Sequence, residues 1–177
     1  MRFLVYGRDG DAFGYGPDDL HEEHQAYMDG WLPRLIARGP TLSPDGAGHT
    51  GSVHVVEADD ANMAHEFAFQ EPYARAGWYA EVSVWPMLPL VAGTMWDRPV
   101  PAPEQPASFV LARWAPQPLD AVEVHAAGWL FAGMLLSEDL LSTQGFAGAI
   151  DLPPGQVGQS LPGEVRTHRW ERGGRRG

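Results

Sequence analysis

Apolar and polar positions along this chain follow two rhythms, and the rhythms switch in a definite order. Phe3, Leu4, Val5 and Tyr6 form a short apolar run that stops at Gly7, which predicts a first strand over residues 3–7. A Gly- and Asp-rich stretch, 8–17, reads as a loop. From Asp18 the period lengthens: Leu20, His24, Tyr27 and Met28, Trp31 and Leu35 recur at spacings of three and four, which is one face of a helix. Asp18 or Asp19 can cap it, and Glu22 and Glu23 stand in its first turn, where the helix dipole favours negative charge. Pro33 lacks the amide hydrogen that a helix interior needs, so the pattern predicts a two-segment helix over residues 18–37. Residues 39–46 read as a short extended piece closed by a turn, and residues 51–57 as a strand. Asp59 and Asp60 precede a second helix over 61–69, with Met63, Ala64 and Phe67 facing inward and Glu71-Pro72 as its stop. Residues 78–85 alternate again and give a last strand. The resulting order, β-α-β-β-α-β, is that of the ferredoxin-like unit.

The second half repeats this pattern in reduced form. Residues 88–106 are Pro-rich and read as a linker, although Met95-Trp96-Asp97 is apolar enough to pack against the body. Phe109 to Trp114 has the character of the first strand. At an offset of 94 residues, Gly39, Leu42, Ser43, Asp45 and Gly51 fall on Gly133, Leu136, Ser137, Asp139 and Gly145. Only a short helix, residues 119–127, fits before Gly133, and the Pro/Gly-rich stretch 151–164 cannot form a good one. The expected domains are therefore a ferredoxin-like repeat over 1–87, the linker, and a degenerate second repeat with shortened helices over 107–177. A sheet covered by helices on one face leaves its other face bare, and a second copy in the same chain would bury it. The expected fold class is α+β, a ferredoxin-like dimeric α/β barrel whose two repeats form a pseudo-dimer. A homodimer of such chains is left open.

Composition narrows the function. The formal net charge of −11 over 177 residues argues against a nucleic-acid partner, whose phosphates require a Lys/Arg surface. No run approaches the roughly 20 apolar residues of a membrane span, and the N-terminus turns polar too soon for a signal-peptide core. The expectation is a cytoplasmic protein without membrane contact. The absence of Cys removes disulfides and thiolate chemistry. The basic cluster at residues 171–177 reads as a solvated terminus.

Among residues able to carry chemistry, His24 lies on the apolar stripe of the first helix and should face the sheet. A histidine titrates near neutrality, and an adjacent carboxylate would fix its tautomer. Asp45 follows the helix and one strand, where a return toward His24 is geometrically feasible. The bland alternative is a core histidine and a turn-forming Asp45. His21 and His24 stand three apart, not in the His-Glu-x-x-His arrangement, so no metal site is expected. One face of the later strands carries Ser52, His54 and Val56, with Tyr79, Glu81, Ser83 and Trp85; this mixed set suits the barrel interior or a ligand cleft, and Val53, Val55, Val82 and Val84 suit packing under helices. Tyr73, Arg75, Trp78 and Tyr79 form an aromatic and cationic patch for a small aromatic ligand, or else a packing surface between repeats. Arg38 either holds an anionic substrate group or is solvated, the latter being favoured. No nucleophile elbow, phosphate loop or dinucleotide fingerprint occurs, which leaves chemistry without a cofactor.

The segments His24-Gln25-Ala26-Tyr27-Met28, Arg38-Gly39-Pro40 with Asp45-Gly46, Gly51-Ser52, and Glu71-Pro72-Tyr73-Ala74-Arg75-Ala76-Gly77-Trp78-Tyr79 together resemble the YCII-related group. The ending Arg169 to Arg175 resembles that of tandem members of the group from actinobacteria. The resemblance implies a dimeric α/β barrel and a His–Asp pair in a cleft, carried over to His24 and Asp45. Activities in the group include dehydrochlorination during aromatic degradation. The expected function is a small enzyme that uses His24 and Asp45 for proton transfer in elimination, isomerisation or cyclisation of a small organic substrate. Tyr73, Trp78, Tyr79, His54 and Arg38 are the expected substrate-binding residues. The rivals are a non-catalytic ligand-binding or accessory protein and a cofactor-independent oxygenase.

Overall fold

The computed structural model describes residues 1–99, 106–157 and 161–174. Strand β1 (Arg2–Asp9) alternates as its sequence requires: Leu4 and Tyr6 enter one core, and Phe3 and Val5 enter another on the opposite side. Helix α1 (Leu20–Trp31) buries Leu20, His24 and Met28. It is shorter than expected. A 3-10 turn over Leu32–Arg34 carries Pro33, and at Leu35 the backbone is already extended, with φ −77° and ψ 131°. Pro33 cannot donate the next helical hydrogen bond, so strand β2 (Leu35–Leu42) starts where the helix was expected to continue. Strand β3 (His49–Glu57) follows, then helix α2 (Ala61–Gln70), capped by the Asp60 carboxylate, which accepts from the Met63 amide at 2.9 Å. A single turn of helix, α3 (Pro72–Arg75), precedes strand β4 (Tyr79–Pro89).

Beyond β4, a 3-10 turn over Met95–Asp97 buries Met95 in the central core. Strands β5 (Ala107–Gln117), β6 (Trp129–Leu136), β7 (Thr143–Ile150) and β8 (Glu164–Trp170) complete the chain. No helix forms over residues 119–127, where one was expected. Pro116 and Pro118 precede the segment, Val122 and Val124 are β-branched, and Gly128 follows with φ 86°, so local propensity opposes a helix throughout. Residues Val122, Val124, Ala126, Val157 and Leu161 cover Val110, Trp129, Met134 and Phe146 instead.

The eight strands close into one antiparallel barrel in the order β1-β3-β2-β8-β5-β7-β6-β4. The first four run β2-β3-β1-β4 and the last four run β6-β7-β5-β8, which is the same order with numbers raised by four. The two sets join twice: Thr41 and Leu42 pair with Trp170 and Arg169, and Met87 to Pro89 pair with Leu135 to Gly133. The interior holds Leu4, Val53, Val55, Phe109, Phe131, Leu135 and Trp170. Closure abolishes free sheet edges.

Two hairpin turns show the same atomic pattern. Asp45 accepts from the Ser43 hydroxyl at 2.5 Å and from the Ala47 amide at 3.1 Å. At the offset of 94, Asp139 accepts from the Ser137 hydroxyl at 2.6 Å and from the Leu141 amide at 3.0 Å. The left-handed residue is Gly46 in one turn (φ 80°) and Leu140 in the other (φ 62°). Asp45 is exposed, and its carboxyl is held below the usual range chiefly by the Ser43 hydroxyl and then by the Ala47 amide. Asp45→Ala is accordingly expected to lower stability only slightly, because its hydrogen bonds are local and exposed to water, and to leave ligand binding unchanged. A matched urea titration and ligand titration of the variant check this.

Candidate functional site

The outer face of the first four strands, beneath α1 and α3, carries the polar residues that the barrel interior does not. Here the strand faces differ from expectation. Val53 and Val55 fill the barrel interior, while Ser52, His54 and Val56 lie under the helices. On β4 the assignment is reversed, with Val82 and Val84 under the helices and Trp85 against the interior. The two mixed sets therefore serve different places. The set on β3 floors a cleft of about 330 Å³ between helix and sheet, and Glu81, Ser83 and Trp85 line a second cavity of about 220 Å³ at the barrel mouth.

His24 reaches the cleft from α1 and is 7% exposed. Its Nδ1 is hydrogen-bonded to Glu71 Oε1, so the expected pairing with Asp45 is not the one that forms. Asp45 is committed to its own turn. Glu71 is 2% exposed and stands at the start of α3, where its other oxygen accepts from the Ala74 amide at 2.9 Å. One carboxylate thus caps a helix and orients an imidazole. An ionised carboxylate only accepts, which assigns a hydrogen to His24 Nδ1 and leaves Nε2 as the nitrogen outside that pair. The ring of Tyr73 lies flat on that of His24, with centroids 4.1 Å apart and planes at 4°, and its hydroxyl is hydrogen-bonded to His21 Nδ1 at 2.5 Å. Burial, followed by the charge of Glu71, pushes the Tyr73 hydroxyl well above its ordinary value, so it stays neutral.

Arg38 enters from β2. It is 6% exposed, not solvated as expected. Its Nη2 meets Asp29 at 3.3 Å, while Nε and Nη1 are buried without a hydrogen-bond partner among the described residues. Gly173 and Gly174 pack over it, and the Gly173 amide donates to the Arg38 carbonyl at 2.8 Å. The segment after β8 therefore closes one side of the cleft. Arg172 anchors that segment by donating to Asp151 at 2.6 Å and to the Pro99 carbonyl at 2.8 Å. This part of the basic cluster is tied down, and Arg175 and Arg176 lie outside the described residues.

His54 completes the floor at 6.1 Å from the ring of His24. Burial, and then the neighbouring His24 and Arg38, hold it well below the ordinary histidine value of 6.5. Between the two values the unfolded chain binds a proton that the folded chain does not, so stability falls as pH drops below about 6.5. His168, lowered from 6.5 by burial and then by Arg166, adds a slope of the same sign. His54→Gln is expected to flatten the slope in part, as read from urea midpoints between about pH 7 and 5.

Of the other expected ligand contacts, Trp78 stacks on Tyr73 at 4.7 Å and donates to the Tyr15 carbonyl at 2.8 Å, so it buttresses the cleft from behind. Tyr79 is turned against Gly7, where any Cβ would lie 2.8 Å from its ring. Three residues of this region were not anticipated. Glu71 appeared as a helix stop and as part of the segment resembling the YCII-related group, without a chemical role. Asp9 and His49 form a second pair, with Asp9 Oδ2 and His49 Nδ1 2.7 Å apart. Among the described residues, no three His, Cys, Asp or Glu side chains group closely enough to hold a metal ion, and no helix is long and apolar enough to cross a membrane.

Several known proteins are similar to this chain. An uncharacterised protein of Haemophilus influenzae is 38% identical over 58 residues, covering 30% of this chain and 59% of its own, so the chain spans little more than half of that relative. A proposed monooxygenase from Lactobacillus acidophilus aligns over 97% of this chain and 93% of its own, with a TM-score of 0.51 and 10% identity, a likeness of fold that runs through both halves. The 5-chloro-2-hydroxyhydroquinone dehydrochlorinase of Burkholderia phenoliruptrix, solved with 2,5-dihydroxybenzoquinone, aligns over 48% of this chain and 90% of its own at 29% identity and a TM-score of 0.37. Residues 1–88 match the model of the YCII-related domain, and it is this domain that contributes His24, Glu71, Arg38 and His54 to the cleft.

Proposed function

We propose that the protein is a small enzyme that moves a proton on an anionic or hydroxylated organic substrate without a bound cofactor. The observation that carries this reading is the buried His24–Glu71 pair facing a cleft lined by Arg38, two of whose donors have no partner among the described residues. His24 Nε2 is the general base, and Glu71 stabilises the imidazolium that forms when the base takes a proton. Arg38 Nε and Nη1 hold the substrate oxygen on which negative charge develops, in a site where burial strengthens that interaction. The ring of Phe13, which lines the cleft, offers apolar area to a planar substrate. Elimination, isomerisation and cyclisation all begin with this step.

We also infer that the chain is a pseudo-dimer of two related units. Its support is the shared strand order and the shared Ser–Asp turn at the offset of 94. Among the described residues, the α-helices and the cleft beneath them belong to the first unit.

The test is a thermal-shift screen of small carboxylic acids, phenols and lactones on the wild type, His24→Gln and Arg38→Met. A ligand at 100 times its dissociation constant stabilises by about 2.7 kcal/mol, or roughly 5–10 °C for a chain this long. The expected hit is anionic, is lost in Arg38→Met, and is turned over by the wild type but not by His24→Gln. Binding without turnover would assign the protein to ligand carriage, and hits indifferent to both substitutions would move the site elsewhere.

A further inference from the structure

Asp9 and His49 repeat, on the other side of the same cleft, the arrangement of Glu71 and His24. Asp9 ends β1 at an irregularity in the β1–β4 register, and His49 opens β3. The ion pair is largely shielded, with side-chain exposures of 24% for His49 and 11% for Asp9. As with His24, the carboxylate meets Nδ1, so Nε2 is the nitrogen left to act. His49 lines the cleft, and Phe13 lies flat on it at 4.3 Å with planes at 8°. Phe13 in turn meets the ring of Tyr73 edge-on at 5.8 Å, and Tyr73 lies flat on His24. The two imidazoles are thus the ends of one aromatic wall, each backed by its own carboxylate.

We propose that His49 is a second catalytic residue, positioned by Asp9, and that the site transfers protons at two positions of one planar substrate. This rests on the function proposed above and narrows it. His24 Nε2 removes a proton from one carbon, and the electron pair of that C–H bond moves into the substrate toward the oxygen held by Arg38. Protonated His49 then delivers its Nε2 proton to a second carbon, and the pair returns to form the new C–H bond. One C–H bond breaks and one forms, His24 then releases its proton to solvent while His49 takes one up, and no oxidant or reductant enters. The matching substrate class is an enolisable or polyhydroxylated ring, in which carbon protonation and deprotonation interconvert tautomers.

Resorcinol is a suitable probe, because exchange of its ring hydrogens in D2O requires a proton to be delivered to carbon and another removed. Exchange would be followed by proton NMR on the wild type, His24→Gln, His49→Gln and His49→Phe, with resorcinol affinity and thermal midpoint measured for each. His49→Phe retains the stack on Phe13 and removes both ring nitrogens, so it separates packing from proton transfer. The expected result is acceleration by the wild type and a loss of about 10²-fold or more in every variant, with resorcinol affinity nearly unchanged in His49→Phe and its thermal midpoint lowered because Asp9 loses its partner. Loss in His24→Gln with full exchange in both His49 variants would overturn the second proton-transfer group and leave the first standing. Loss in the His49 variants that merely tracks weaker resorcinol binding would also overturn it. Absence of acceleration by the wild type would count against both readings.

Discussion

Glu71→Ala is expected to lower stability by about 2–4 kcal/mol and to remove nearly all proton-transfer activity. The carboxylate does two jobs in a buried place. Its removal takes the cap from α3, worth about 1 kcal/mol, and leaves the His24 Nδ1–H unsatisfied behind Tyr73, worth about 1–3 kcal/mol. The catalytic loss has a separate origin. Without Glu71, nothing fixes which nitrogen of His24 faces the cleft or stabilises the imidazolium. Glu71→Gln separates the two effects, since an amide oxygen still accepts while the charge is gone. That variant is expected to regain most of the stability and still lose about 10²-fold or more in turnover. Urea unfolding and kinetics on the same preparations provide the check.

The second large effect is expected at Trp170. This fully buried side chain ends β8 at the join with β2, pairing with Thr41 on one side and Ala107 on the other. Its indole fills the space that glycine leaves at residue 39, where a Cβ would lie 2.8 Å from the ring and 1.9 Å from the Glu171 carbonyl oxygen. It also meets Phe131 edge-on at 6.1 Å in the barrel interior. Trp170→Ala is expected to cost about 3–5 kcal/mol, the usual cost of emptying a large aromatic site. The variant should also bind cleft ligands more weakly, because Glu171 to Gly174 hang from this residue and Gly173 rests on Arg38. A single unfolding transition, shifted as a whole, would show that both strand sets unfold together. Two transitions would mean that they are separate domains in energetic terms.

The legible and illegible parts of this molecule divide along physical lines. Strands β3 and β4 announced themselves by alternation, β1 by a short apolar run, and α2 by a cap and a 3.6-residue stripe, because these depend on neighbours within one turn or one pleat. The end of α1 was misplaced since Pro33 permits either a kink or a stop, and the pairing of Leu35 with Val56 across β2 and β3 decides for the stop. Alternation reveals that a strand has two faces and not which one turns inward, so the polar face of β3 was read in common with that of β4. Asp45 carries the signature of a turn as strongly as that of a partner for His24, and the matching turn at Asp139 shows which use it serves. Arg38 looked solvated because the segment that buries it, Gly173-Gly174, lies 135 residues later in the chain. Glu71, Asp9 and His49 were missed for the same reason: each is ordinary in its local context, and its role arises from a partner 40 or more residues away.

The proposed mechanism requires that Glu71 set the state of the His24 ring. Long-range nitrogen–proton NMR of the imidazole reads this directly, in the wild type, Glu71→Gln and Asp45→Asn. The expected result is a hydrogen on His24 Nδ1 in the wild type, a changed imidazole signal in Glu71→Gln, and an unchanged signal in Asp45→Asn. A His24 signal that shifts with Asp45→Asn and ignores Glu71→Gln would contradict it.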